Sequence, residues 1–129
     1  MSEKKDILIV DDDPDFVEAV KLIVEKGGYD VRVAYDGQEG IEMANEKTPD
    51  LIVLDVMMPV MNGHEACTKI KSEEKTAEVP IILLTAVADR VTTSTYTHRD
   101  MLESEADDYM PKPVEPRELL ELIQSWLKK

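Results

Sequence analysis

The hydrophobic pattern of the chain switches repeatedly between two periods. Ile7-Leu8-Ile9-Val10 is an unbroken apolar run that stops at Asp11-Asp12-Asp13, and Leu51-Ile52-Val53-Leu54 is another that stops at Asp55. A third run, Ile81-Ile82-Leu83-Leu84, follows Pro80 and ends at the hydroxyl of Thr85. Short continuous apolar runs bounded by turn signals read as strands covered on both faces. Between the first two runs the spacing becomes helical. Phe16, Val17, Val20, Ile23 and Val24 predict a helix from Pro14 to about Lys26, capped by Asp13 and stopped by Gly27-Gly28. Residues 30–35 alternate as a strand near an edge, Asp36-Gly37 is a turn, and residues 38–47 form a helix with Ile41 and Ala44 inward. Asn62-Gly63 leads into a helix at about 64–72. Residues 106–110 predict a short fifth strand ended by Pro111-Lys112-Pro113. A last helix, from about Glu115 to Lys128, carries Leu119, Leu120, Leu122, Ile123 and Trp126 on one side.

Five strands alternating with helices specify an α/β fold, a doubly wound five-stranded parallel sheet with helices on both faces. Right-handed crossovers bring the carboxyl ends of the strands to one edge, where such sheets bind ligands. The chain of 129 residues is expected to be one domain, residues 1–129, without an output domain. Its 15 basic and 28 acidic residues give a net charge of −13, which argues against direct binding of nucleic acid or an anionic membrane. Cys67 is the single cysteine, so no internal disulfide forms, and its helical position suits a packed thiol. No stretch has the length of a membrane span and the charged N-terminus lacks a signal-peptide core, so the expected compartment is the cytoplasm.

A carboxylate deep inside an apolar strand would be costly, so Asp55 belongs at the strand's carboxyl end. There it is a nucleophile, a metal ligand or a turn-capping aspartate. If Asp13 caps the first helix, Asp11 and Asp12 are left at the neighbouring strand end. Thr85 and Lys112 fall at the ends of the fourth and fifth strands. Crowded carboxylates need a cation, and Mg²⁺ suits hard oxygen donors with retained waters. A hydroxyl and an ammonium beside it suit an incoming phosphoryl group, and an aspartate can attack phosphorus to form an acyl phosphate. Taken singly, Thr85 is a strand-end threonine, Lys112 a solvated charge and Tyr109 a packed ring; the first two gain weight from their joint placement.

These segments, Ile-Leu-Ile-Val-Asp-Asp-Asp-Pro, Leu-Ile-Val-Leu-Asp-Val-Met-Met-Pro-Val-Met-Asn-Gly, Val-Pro-Ile-Ile-Leu-Leu-Thr-Ala and Ala-Asp-Asp-Tyr-Met-Pro-Lys-Pro, resemble in order a response-regulator receiver domain of two-component signalling. The resemblance covers nearly the whole chain. It implies a flavodoxin-like fold with strand order 2-1-3-4-5, the order known for a chemotaxis member of that family. It implies that Asp55 is the phosphoacceptor, supplied by a sensor histidine kinase or phosphotransfer protein, with the first helix and the loops beside Asp55 as the docking side. Asp11, Asp12, Asp55 and the Met57 backbone carbonyl would bind Mg²⁺. Thr85 and Lys112 would hold the phosphoryl group, Thr85 and Tyr109 would form the switch, and Lys112-Pro113 would be cis. The chain would be a phosphoacceptor signalling domain rather than an enzyme, assisting its own phosphorylation and dephosphorylation and signalling to a downstream protein target.

The sequence departs from the family in places. Thr85 and Lys112 stand 27 positions apart, longer than usual by about one to two helical turns. The excess lies in residues 87–105, rich in β-branched residues and expected to hold a long loop or a displaced helix. Glu105 replaces the usual glycine, and Pro111 removes a backbone donor just before the lysine. Met57 and Val87 flank the expected phosphoryl site with apolar side chains, an arrangement expected to shield an acyl phosphate from water. Other functions fit less well. An aspartyl-phosphate phosphatase needs an acid where Met57 stands, a flavin-binding protein needs a phosphate-cradling loop where three aspartates stand, and a non-phosphorylated pseudo-receiver should lack site residues that are all present here.

Overall fold

The computed structural model describes residues 4–58, 61–86 and 106–128. Five strands, β1 (Asp6–Val10), β2 (Asp30–Ala34), β3 (Leu51–Asp55), β4 (Ile81–Ala86) and β5 (Asp108–Lys112), form one sheet. Every pairing is parallel and the order is β2-β1-β3-β4-β5, as expected for the flavodoxin-like arrangement. Among the described residues there are four helices: α1 (Pro14–Lys26), α2 (Gly37–Glu46), α3 (Gly63–Lys71) and α4 (Pro116–Leu127).

The unbroken apolar runs have the cause that their pattern implied. Successive side chains of a strand point to opposite faces. Leu8, Val10, Ile52, Leu54, Ile81 and Leu83 pack on one face with Ala44 of α2 and Ala66, Cys67 and Ile70 of α3. Ile7, Ile9, Leu51, Val53, Ile82 and Leu84 pack on the other with Val17, Val20 and Val24 of α1 and Leu119 and Ile123 of α4. Each Val, Leu or Ile among them, fully withdrawn from water, stabilises the fold by about 1.5–3 kcal/mol. The Cys67 thiol is buried among them.

Helix ends follow local chemistry. The Asp13 carboxylate accepts from the backbone N–H of Asp15 at 3.0 Å and of Phe16 at 3.4 Å, with Pro14 at the first helical position. Gly27 caps the other end and Gly28, at φ 98°, turns the chain toward β2 in a conformation open to glycine. Asp36 proves to be the cap of α2, which begins at Gly37 rather than after it. Asn62 and Glu65 form a reciprocal capping box at 2.9 and 3.0 Å, so the expected turn at 62–63 is also the start of α3.

One strand lies elsewhere than expected. β5 runs from Asp108 to Lys112, two residues beyond the predicted 106–110, and takes Pro111 into the ladder opposite Thr85. A proline is tolerated because β5 is the edge strand and pairs only with β4. The expected long loop or displaced helix in residues 87–105, with Val87 and Glu105, lies outside the described residues.

Candidate functional site

The register of the sheet gathers polar groups at its carboxyl edge. Asp55 is the last residue of β3 and 2% exposed; Asp11 follows β1 and is 1% exposed. Asp12 stands beside it, open to solvent. One carboxylate oxygen from each of Asp11, Asp12 and Asp55 lies within 4.8 Å of the others. Leu84 pairs across from Asp55, which places the buried Thr85 one step beyond it on the adjacent strand. Lys112 closes β5, and its Nζ donates to Asp55 Oδ1 at 3.0 Å and to Asp11 Oδ2 at 3.1 Å. Asp11 Oδ1 accepts from the Asp13 backbone N–H at 3.0 Å, which fixes its rotamer.

Backbone packing holds this geometry. The N–H of Gly63 donates to the carbonyl of Val56 at 2.9 Å. A Cβ at Gly63 would lie 2.3 Å from the Asp55 carbonyl oxygen and 2.8 Å from the Val56 Cα. Glycine there lets the first turn of α3 press directly on the strand end that carries Asp55.

Asp11 and Asp55 share one ammonium, and the balance shows in the acidities of this buried pair. Burial, followed by repulsion from Asp11, pushes the Asp55 carboxyl up to about 6, against the opposing pull of Lys112 and the Met57 backbone N–H. Burial also raises Asp11, despite the Asp13 N–H and Lys112. Burial pulls the Lys112 ammonium down, but its bonds and attraction to Asp55 and Asp11 together leave it raised. The site therefore carries uncompensated negative charge on hard oxygen donors, two of the three acids being buried. That donor set fits a small divalent cation such as Mg²⁺.

A family model described as "Response regulator receiver domain" matches residues 7–124. The chain belongs to this receiver family. As a receiver it is 36% identical over 126 residues to the "DNA-binding dual master transcriptional regulator RpaA" of Synechocystis, covering 95% of this chain and 49% of the relative. It is 41% identical over 123 residues to the response regulator ArlR of Staphylococcus saprophyticus, covering 95% of this chain and 52% of that one. The receiver thus spans about half the length of the curated relatives it matches. Among solved structures, Vibrio cholerae chemotaxis protein CheY4 superimposes with a TM-score of 0.85 at 30% identity, covering 97% of this chain and 100% of that chain. The receiver domain of a Pseudomonas aeruginosa sensor histidine kinase, solved with a magnesium ion coordinated in its active-site cleft, gives 0.87 at 28% identity, covering 98% and 100%. The expectation of no nucleic-acid binding is not confirmed by this likeness, since relatives of the receiver are named DNA-binding regulators. Among the described residues no helix is long and apolar enough to cross a membrane.

Of the receiver's expected site residues, Asp11, Asp12, Asp55 and Lys112 meet around one point, with Thr85 next to them in the sheet. Lys112-Pro113 is cis. Tyr109 is partly buried against the α2–α3 core layer, and Met57 exposes 58% of its surface beside the site. Phe16 escaped the sequence reading. Its spacing places it in the apolar stripe of α1, yet the Lys112 Nζ stands 4.3 Å from its ring centroid. The only signal was its position three residues after a helix cap that itself follows the acidic pair. The Asn62-Gly63 pair reads in the sequence only as a turn, and the close approach of Gly63 to the Asp55 carbonyl has no local signal.

Proposed function

We propose that this chain is a phosphoacceptor receiver of two-component signalling in which Asp55 takes the phosphoryl group of a phosphohistidine on a sensor histidine kinase or phosphotransfer protein. The observation that carries this reading is the buried Asp55 carboxylate, held by Lys112 at 3.0 Å within a cluster of two further acids. An Asp55 carboxylate oxygen attacks phosphorus as the P–N bond breaks, and the electron pair leaves on the donor imidazole. Asp11, Asp12, Asp55 and the Met57 carbonyl would hold Mg²⁺, whose charge would offset that of the phosphoryl oxygens. Lys112 already touches Asp55 and neutralises the charge brought by the phosphoryl oxygens, while the Thr85 hydroxyl donates to one of them. Positioning and charge account for most of the assistance that the chain gives to its own phosphorylation and dephosphorylation.

The signal is a two-state shift: Thr85 moves toward the phosphoryl group, Tyr109 follows, and the surface offered to a downstream protein target changes. Met57 presents an apolar side chain at the mouth of the site and cannot orient a hydrolytic water. Met57→Asn is therefore expected to speed dephosphorylation, and an unchanged rate would discard that role.

The test is incubation with acetyl phosphate and Mg²⁺ followed by intact-mass measurement. A gain of one phosphoryl mass, lost in Asp55→Ala and on chelation, supports the reading. An equal gain in Asp55→Ala contradicts it.

A further inference from the structure

The acidic pair, the ring of Phe16 and Lys112 form a closed circuit. The N–H of Asp13 is donated to Asp11, and the Asp13 carboxylate in turn caps α1 by accepting from Asp15 and Phe16. One rigid turn thus delivers both the acids and the Phe16 ring. Lys112, arriving on β5, spends two of its three N–H donors on Asp11 and Asp55. The third side of the ammonium is met by the Phe16 ring, 4.3 Å from the centroid. A ring face attracts a cation through its quadrupole but offers no oxygen or nitrogen acceptor.

Resting on the phosphoacceptor reading, we propose that Phe16 is a positioning residue for phosphoryl transfer. Its ring face holds the Lys112 ammonium beside Asp55 without supplying an acceptor that competes with the phosphoryl oxygens. A polar partner would hold the ammonium as well, but would have to be broken when the phosphoryl group arrives. An aliphatic partner would leave the ammonium held by Asp11 and Asp55 alone, with its third side unattracted. The ring does neither. It keeps the ammonium in place before transfer, when the carboxylates are its partners, and lets it turn to the phosphoryl oxygens afterwards.

The composition offers a direct test, because Phe16 is the single phenylalanine of the chain. Biosynthetic replacement of phenylalanine by mono-, di- and trifluorophenylalanine changes this ring alone, weakening its negative face with little change of shape. Two readouts apply. In the chelated, unphosphorylated protein the Lys112 ε-methylene protons are expected upfield through the ring current, and Phe16→Leu returns them to ordinary positions. With acetyl phosphate and Mg²⁺, the phosphorylation rate is expected to fall stepwise with fluorination, by about fivefold from the native to the trifluoro ring.

Ordinary Lys112 methylene shifts in the native protein would overturn the contact. A rate that stays flat across the fluorinated series, with Phe16→Leu slow, would reduce Phe16 to packing and overturn the proposal while leaving Asp55 as acceptor. A native protein that gains no phosphoryl mass at all would overturn both.

Discussion

The two edges of the same sheet treat their aspartates in opposite ways. At the amino edge Asp6, Asp50 and Asp107 each have dedicated partners. Asp6 accepts from Arg32 Nε and Nη2 at 3.0 and 2.7 Å, and the same guanidinium reaches the carbonyls of Met43 and Lys47 at the end of α2. Asp50 accepts from the Asp6 backbone N–H at 2.7 Å. Asp107 accepts from the Ile81 backbone N–H and from Lys71, each at 2.8 Å. At the carboxyl edge Asp11 and Asp55 share Lys112 with Asp12 crowded against them, and Asp55 is pushed up to about 6. Satisfied carboxylates pin elements together; the crowded set is held at a cost that a cation or a phosphoryl group can turn to use.

The contrast can be broken from either side. The largest effect is expected at the amino edge. Arg32→Met leaves the buried Asp6 unpaired and frees the end of α2, so urea denaturation should show a loss of about 3 kcal/mol, with phosphorylation of the folded fraction intact. A loss below that of an ordinary surface change would show that this edge is not a structural clasp.

The opposite sign is expected at the carboxyl edge. In chelated protein above pH 6, Asp55→Asn removes a charge that burial and Asp11 disfavour, and should stabilise the fold by about 1–2 kcal/mol while ending phosphorylation. A destabilised Asp55→Asn would place Asp55 with the structural acids.

A smaller, pH-dependent effect sharpens the same point. Asp55 is raised from its ordinary value of 3.8 to about 6 in the folded chain. Between those values the native state holds a proton that the unfolded state has released. Its contribution to stability is therefore greatest at low pH and is lost as pH rises from about 4 through 6. The difference between native and Asp55→Asn stability in chelator should widen over that window and then level off. A difference independent of pH would contradict it.

Much of this was legible in the sequence because its physics is local. Strands covered on both faces must read as unbroken apolar runs, so β1, β3 and β4 and the acids that end them could be placed from pattern alone. Asp13 and Pro14 announced the start of α1. The misplaced strand shows the limit: Pro111 reads as a stop, and only the knowledge that β5 lies at the edge makes it acceptable inside the ladder. Contacts made by long side chains across the fold left no sequence trace. Arg32 reaching Asp6, Lys71 reaching Asp107 and Lys112 lying over Phe16 each join elements far apart in the chain, at distances set by the sheet order.

The most direct measurement is calorimetric titration of Mg²⁺ across a pH series, in native protein and in Asp55→Asn. If Asp55 is the crowded acid around which the cation site is built, affinity rises through about pH 6 with protons released in that range, and Asp55→Asn binds more weakly without that dependence. Equal Mg²⁺ affinity in the two proteins, with no proton release, would contradict the account.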